Sequence, residues 1–235
     1  MNTHAPSKVT RLTASRAFPS SGRFVAFEGP EGSGKTTQIK KLAEAFSQKG
    51  HEVVITREPG GTPFGDEIRR LLLDHSSGRL NAATELSLML AQRSEHLSKV
   101  IVPGLERGAV VLTDRYIDSS LAYQGFGRGL GADFVRRVHL ELLGPCLPDV
   151  TVLFDLDPAI GLERARHGGR RSHDRLEAEA LAFHQRVHDG YLALAAKEPE
   201  RFLVQSAVGV PEDIFILLEN ALSARLASLT FGGEP

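Results

Sequence analysis

Residues 29–36 read Gly29-Pro30-Glu31-Gly32-Ser33-Gly34-Lys35-Thr36, a G-x4-G-K-T run that follows an apolar stretch and opens a segment of helical period. Glycines at these positions let consecutive backbone N–H groups turn toward an anion. Lys35 then reaches the β- and γ-phosphates, the Thr36 hydroxyl suits Mg²⁺, and a helix starting near Gly34 directs its positive end at the same point. Gly29, Pro30, Glu31, Gly32, Ser33, Gly34, Lys35, Thr36 and Thr37 are therefore expected to bind ATP with Mg²⁺. A turn built for packing alone has no need of lysine and threonine at this spacing.

Working outward, short β-branched or apolar runs at 24–28, 52–56, 109–113, 150–155 and 202–205 alternate with longer helical stretches. That alternation predicts a three-layer α/β/α fold around a parallel sheet of about five strands. Between 81 and 107, Leu86, Leu90, Leu97 and Ile101 form one apolar stripe of a long helix, with Glu85, Met89 and Arg93 on the stripe beside it. Asp114 closes the third apolar run, at the carboxyl edge where parallel sheets place ligands, and is read with Thr36 as a metal ligand. Arg115, next to it, is a fork-shaped donor for a phosphate.

The chain has 235 residues, within the size of one compact domain. Its 28 basic and 29 acidic residues nearly cancel, so bulk charge gives no reason to expect nucleic acid or a membrane surface as partner. A lone cysteine, Cys146, cannot form an internal disulfide, and no apolar run approaches the roughly 18 residues of a membrane span. A cytoplasmic setting is expected. Residues 1–22 hold Lys8, Arg11 and Arg16 without any Asp or Glu. They are read as a loose extension rather than an organellar address, ahead of a catalytic domain over 23–235.

Five arginines, Arg164, Arg166, Arg170, Arg171 and Arg175, fall in and around a polar break, 168–174, between two helical stretches. The density suggests a lid over 164–176 that offsets charge where phosphates gather and keeps water out. Taken alone, the same arginines also fit a solvated face paired with Glu163, Asp174 and Glu177.

The P-loop, residues 56–62 (Thr56-Arg57-Glu58-Pro59-Gly60-Gly61-Thr62), Asp114-Arg115-Tyr116, the run 119–125 and Asp174-Arg175-Leu176-Glu177 together resemble the bacterial thymidylate kinase family from Arg23 onward. The resemblance implies a homodimer that moves the γ-phosphoryl of ATP onto dTMP by direct in-line transfer. It implies that Glu31 faces the acceptor sugar, that Arg57 and Arg115 hold the acceptor phosphate, and that Arg69, Arg93, Ser120 and Gln124 read thymine. Tyr123 would pack beneath the deoxyribose and crowd a 2′-hydroxyl. Lys35, Arg115 and a lid arginine among Arg166, Arg170 and Arg171 would carry the transfer, because this P-loop holds no arginine of its own. Met89 stands where the family commonly has a phenylalanine, so base stacking is expected to weaken unless Phe64 or Phe126 compensates. Two other readings stay open: a kinase for another pyrimidine monophosphate, and a nucleotide-dependent switch without a product.

Overall fold

The computed structural model describes residues 22–167 and 174–228. Five strands, β1 (Arg23–Glu28), β2 (Val53–Arg57), β3 (Val110–Asp114), β4 (Val150–Asp155) and β5 (Phe202–Ser206), form one all-parallel sheet in the order β2-β3-β1-β4-β5. Helices α1 (Lys35–Gln48), α2 (Pro63–Leu73), α3 (Ala82–His96), α4 (Val102–Glu106), α5 (Ile117–Ser120), α6 (Ala132–Leu143), α7 (Pro158–His167), α8 (Leu181–Lys197) and α9 (Pro211–Ser228) connect and cover it.

Side chains alternate across a strand, and the two faces of this sheet sort accordingly. Phe24, Ala26, Val111, Leu153 and Phe202 pack under α3, α6 and α8, whereas Val25, Phe27, Leu112, Val152 and Phe154 pack under α1 and α9. Along β1, β3 and β4 both faces are buried, which is why these strands read as continuous apolar runs, whereas the edge strands β2 and β5 are partly exposed. The register aligns Asp114 with Phe27 on one side and with Arg57 on the other, so the carboxyl edges of β1, β2 and β3 finish together.

The helix expected over 81–107 is interrupted. A π-helical segment, Leu97–Ile101, separates α3 from α4. Pro103 has no N–H to offer the carbonyl four residues earlier, and the ladder widens just before it. A second π-helical segment, Leu121–Gly127, carries Tyr123 and Gln124.

His139 on α6 lies fully buried, its ring edge-on to Tyr116 at 5.9 Å, with neither ring nitrogen hydrogen-bonded to a described residue. Burial, helped by the charges of Arg93 and Arg136, pushes its pKa down to about 3. The unfolded chain protonates this imidazole near its ordinary value of 6.5 while the folded chain does not. Its contribution is therefore complete above 6.5 and is lost as pH falls toward 3, at about 1.4 kcal/mol per pH unit. His139→Leu is expected to remove about 2 kcal/mol of the stability loss between pH 7.5 and pH 5.0, read by urea unfolding at both values. An equal acid loss in the two proteins would mean that His139 charges in the folded state.

Candidate active site

After β1 the chain turns through the P-loop and enters α1 at Lys35. Gly29 (φ +133°) and Gly32 (φ +71°) adopt left-handed backbone, and a Cβ there would sit 2.5 Å from the Phe154 carbonyl and 2.2 Å from the Gly161 carbonyl. Only glycine meets both conditions, and its absence of a side chain lets α7 pack directly on the loop. Lys35 is buried, and its ammonium donates to the Gly29 and Pro30 carbonyls at 3.1 and 2.8 Å and to Ser33 Oγ at 3.2 Å. Burial lowers its pKa to about 8, so it remains cationic at neutral pH.

A cleft of about 910 Å³ opens over this loop, walled by Lys35, Thr36, Thr37, Asp114, Arg57 and Arg164. Thr36 Oγ1 donates to Asp114 Oδ2 at 3.3 Å, which brings two hard oxygen ligands together on its wall. Among the described residues no group of three or more His, Cys, Asp or Glu could hold a metal. This donor set fits Mg²⁺, which takes one or two protein oxygens and completes its shell from phosphates and water.

Arg115 is held unusually. Its φ of +71° is the one left-handed non-glycine backbone among the described residues, a conformation that costs on the order of 1–3 kcal/mol. Hydrogen bonds from its own N–H to the Phe27 carbonyl (3.0 Å) and from Thr113 Oγ1 to its carbonyl (2.9 Å) fix it there. Its guanidinium lies over the Tyr123 ring at 5.2 Å and donates to Ser119 Oγ (3.2 Å) and Tyr191 Oη (3.1 Å). Both hydroxyls donate in turn to Glu28 Oε2, at 2.6 and 2.8 Å. Glu28 also accepts the Tyr116 and Ser119 backbone N–H groups, and burial raises its pKa to about 7 against the pull of Arg115. Arg115 thus emerges from a buried acidic anchor and projects between two cavities.

The second cavity is a slot leading away from the cleft. Its apolar wall is Pro59, Leu72, Leu73 and Met89, and its polar wall includes Arg69, Glu85, Ser119, Tyr123, Gln124 and Arg175. Cleft and slot share Glu31, Glu58, Arg69, Arg115 and Asp174. Arg69 donates to the Pro59 carbonyl at 3.0 Å, and burial together with Arg57 lowers its pKa. Arg115 faces Glu31 at 3.6 Å across the junction.

Of the residues read from sequence, Glu31, Arg69, Met89, Arg115, Tyr123 and Gln124 line the slot, while Arg57 lines the cleft and pairs with Asp66 at 3.0 Å. Arg93 and Ser120 are fully buried and lie outside the residues that line the slot: Arg93 Nε donates to Glu58 Oε2 (2.7 Å) and its Nη2 to Ser120 Oγ (3.0 Å). Arg93 Nη1 has no hydrogen-bond partner among the described residues. Neither Phe64 nor Phe126 belongs to the slot wall, and both are surface-exposed. Met89 instead packs with Ile68 and Leu72.

The expected lid divides. Arg170 and Arg171 lie outside the described residues. Arg166 is an exposed residue of α7 that does not line the cleft, whereas Arg164, two residues earlier on the helix, does, and donates to the Ala207 carbonyl at 2.9 Å. Arg175 is buried and paired with Glu85 at 2.8 Å, so it belongs to the slot wall rather than to a mobile cation cluster. Glu28, Glu85, Ser119 and Tyr191 were not picked out as site residues by sequence reasoning. Two of them had left a signal, Glu85 as a charged member of the stripe shared with Met89 and Arg93, and Ser119 as the first residue of the run 119–125.

A family model described as Thymidylate kinase matches residues 27–215. The Thymidylate kinase of Deinococcus radiodurans is 50% identical over 206 residues, covering 88% of this chain and 98% of its own. That of Desulfovibrio desulfuricans is 46% identical over 208 residues, covering 86% and 96%. Among solved structures, thymidylate kinase from Ehrlichia chaffeensis superposes with a TM-score of 0.70 at 32% identity, covering 86% of this chain and 98% of that one.

Proposed function

We propose, from the premise that this chain belongs to the thymidylate kinase family, that it catalyses ATP-dependent phosphorylation of dTMP to dTDP. The observation that carries the reading is the shared wall of the cleft and slot. Two nucleotides seated in them would bring their phosphates together beside Arg115 and Arg69.

An acceptor phosphate oxygen forms the new bond to the γ-phosphorus of ATP while the bond to the β–γ bridging oxygen breaks and ADP leaves. No protein base is required, because a nucleotide monophosphate with a second pKa near ~6 is already largely dianionic at neutral pH. The residues supply position and positive charge. Lys35 and the P-loop amides hold the donor phosphates, and Arg115, fixed by Glu28 through Ser119 and Tyr191, holds the acceptor phosphate with Arg57. Thr36 and Asp114 would hold Mg²⁺, which supplies charge neutralisation on the donor phosphates. An arginine of the stretch containing Arg164, Arg166, Arg170 and Arg171 offsets the charge that develops on the moving phosphoryl.

The slot supports a pyrimidine with an apolar substituent. Leu72, Leu73 and Met89 offer a surface against which the thymine methyl is buried, a contact that discriminates by only about 1–3 kcal/mol, so dUMP should remain a poor substrate rather than a rejected one. Tyr123, capped by Arg115 and braced edge-on by Phe183 and Tyr191, is rigid enough to crowd a ribose 2′-hydroxyl. A homodimer acting in the cytoplasm completes the proposal; no helix among the described residues is long and apolar enough to cross a membrane.

The test is ADP release with ATP and Mg²⁺ against dTMP, dUMP, dCMP, UMP, CMP, AMP and GMP, with a control lacking acceptor. Rapid turnover with dTMP over a low background is expected. Turnover confined to another monophosphate would overturn the base assignment, and hydrolysis indifferent to acceptor would replace a kinase with a switch.

A further inference from the structure

Gln124 lies in the slot wall with its side-chain amide in one orientation, and the group that dictates the orientation is Glu85. The Glu85 carboxylate is fully buried and accepts four donors. Arg175 Nη1 (2.8 Å) and Arg128 Nη2 (2.9 Å) reach Oε1, and Arg128 Nε (3.0 Å) and Gln124 Nε2 (3.3 Å) reach Oε2. A carboxylate held between two guanidiniums can only accept hydrogen bonds, so the NH₂ end of Gln124 must face it. The flipped amide would set a carbonyl oxygen against a carboxylate oxygen inside the protein. Gln124 Oε1 is thereby turned the other way, and it accepts no hydrogen bond from any described residue.

Bases differ in what they present to such an acceptor. The imide N3–H of thymine and uracil is a donor, whereas N3 of cytosine is a lone pair beside an exocyclic amine. An acceptor locked in a buried wall favours the imide and repels cytosine. A freely turning amide would serve either. From this geometry we infer that Glu85 is a positioning residue that sets pyrimidine specificity, holding the Gln124 amide so that the slot takes imide bases and refuses cytosine. The inference rests on the reading of the slot as the acceptor-base site.

Glu85→Gln allows Gln124 to turn. Because Arg128 and Arg175 lose their counter-charge in that variant, Glu85→Asp is made beside it. Asp keeps the negative charge between the guanidiniums but withdraws it by one methylene, and the Gln124 contact, the longest of the four, is lost first. kcat/KM is measured for dTMP, dUMP and dCMP in the wild type and both variants, with folding checked by thermal melting.

The expected result in each folded variant is a fall of about ten-fold or more in the dTMP:dCMP ratio, while the dTMP:dUMP ratio stays within two-fold, because both imides lose the same hydrogen bond. General damage to the slot lowers all three substrates together. An unchanged dTMP:dCMP ratio in a folded variant, with Glu85→Asp deciding if Glu85→Gln does not fold, overturns the role of Glu85. Wild-type protein that does not use dTMP overturns the underlying reading instead, and the two failures are separable in one data set.

Discussion

Lys35→Met is expected to lower kcat/KM by about 10³-fold while leaving the thermal midpoint within a few degrees of the wild type. The loss follows from what the ammonium does in the transition state. It is a point charge aimed at phosphate oxygens inside a cleft, where one such donor is worth on the order of 3–4 kcal/mol of barrier. Retention of the fold follows from its burial. Its pKa is lowered to about 8, chiefly because the charge has been taken out of water, so the protein already carries an unfavourable term for keeping it. Methionine has nearly the same length and no charge to desolvate. Against this, the Gly29 and Pro30 carbonyls and Ser33 Oγ each lose a donor, at about 1 kcal/mol apiece where water does not replace it. The two terms oppose each other at similar size. Steady-state kinetics alongside a melting curve checks both halves, and turnover within ten-fold of the wild type would remove Lys35 from the transfer.

Lys35 is also the clearest case of what could be read from the chain alone. Its role is encoded in eight contiguous residues, because a phosphate cradle is made by successive backbone N–H groups and so must be continuous in sequence. The sheet was legible for a comparable reason: β1, β3 and β4, buried on both faces, leave contiguous apolar runs, the partly exposed edge strands β2 and β5 keep short β-branched or apolar ones, and the five observed strands fall within a residue or so of the expected limits.

The slot has no such continuity. Leu72, Glu85, Met89, Tyr123, Gln124, Arg175 and His184 meet there from five separate stretches of chain, and family resemblance, rather than local pattern, marked several of them. Arg175 illustrates the limit. A run of arginines announces positive charge, but which of them turns inward depends on a carboxylate 90 residues away, and Glu85 gave no local sign of being that partner. Tyr191 escaped notice because it reaches Glu28 across 163 residues and Arg115 across 76, from a helix whose other buried residues, His184 apart, are ordinary packing groups.

Arg93 joins the two themes and yields the largest stability effect expected here. It was read as a contact to the base, yet its guanidinium is spent largely on the protein, on Glu58 at 2.7 Å, on the Tyr116 carbonyl at 3.1 Å and on Ser120 at 3.0 Å, with the Tyr116 ring beneath it at 5.1 Å. Glu58 is fully buried and, among the described residues, has one other ion-pair partner, His96, at 2.9 Å. Arg93→Met therefore strands a carboxylate in the interior, and breaking a buried pair from one side costs roughly 3–5 kcal/mol. Glu58→Gln added to Arg93→Met removes the stranded charge and is expected to return at least about half of that loss in urea unfolding. The dTMP KM of the double variant then isolates the remaining function. Among the described residues Arg93 Nη1 finds no hydrogen-bond partner. If that donor serves the base, KM stays raised about ten-fold or more after stability is restored. If KM returns toward the wild-type value with stability, Arg93 is a clasp between α3 and the loop after β2, and thymine is read by Gln124 and the apolar wall alone.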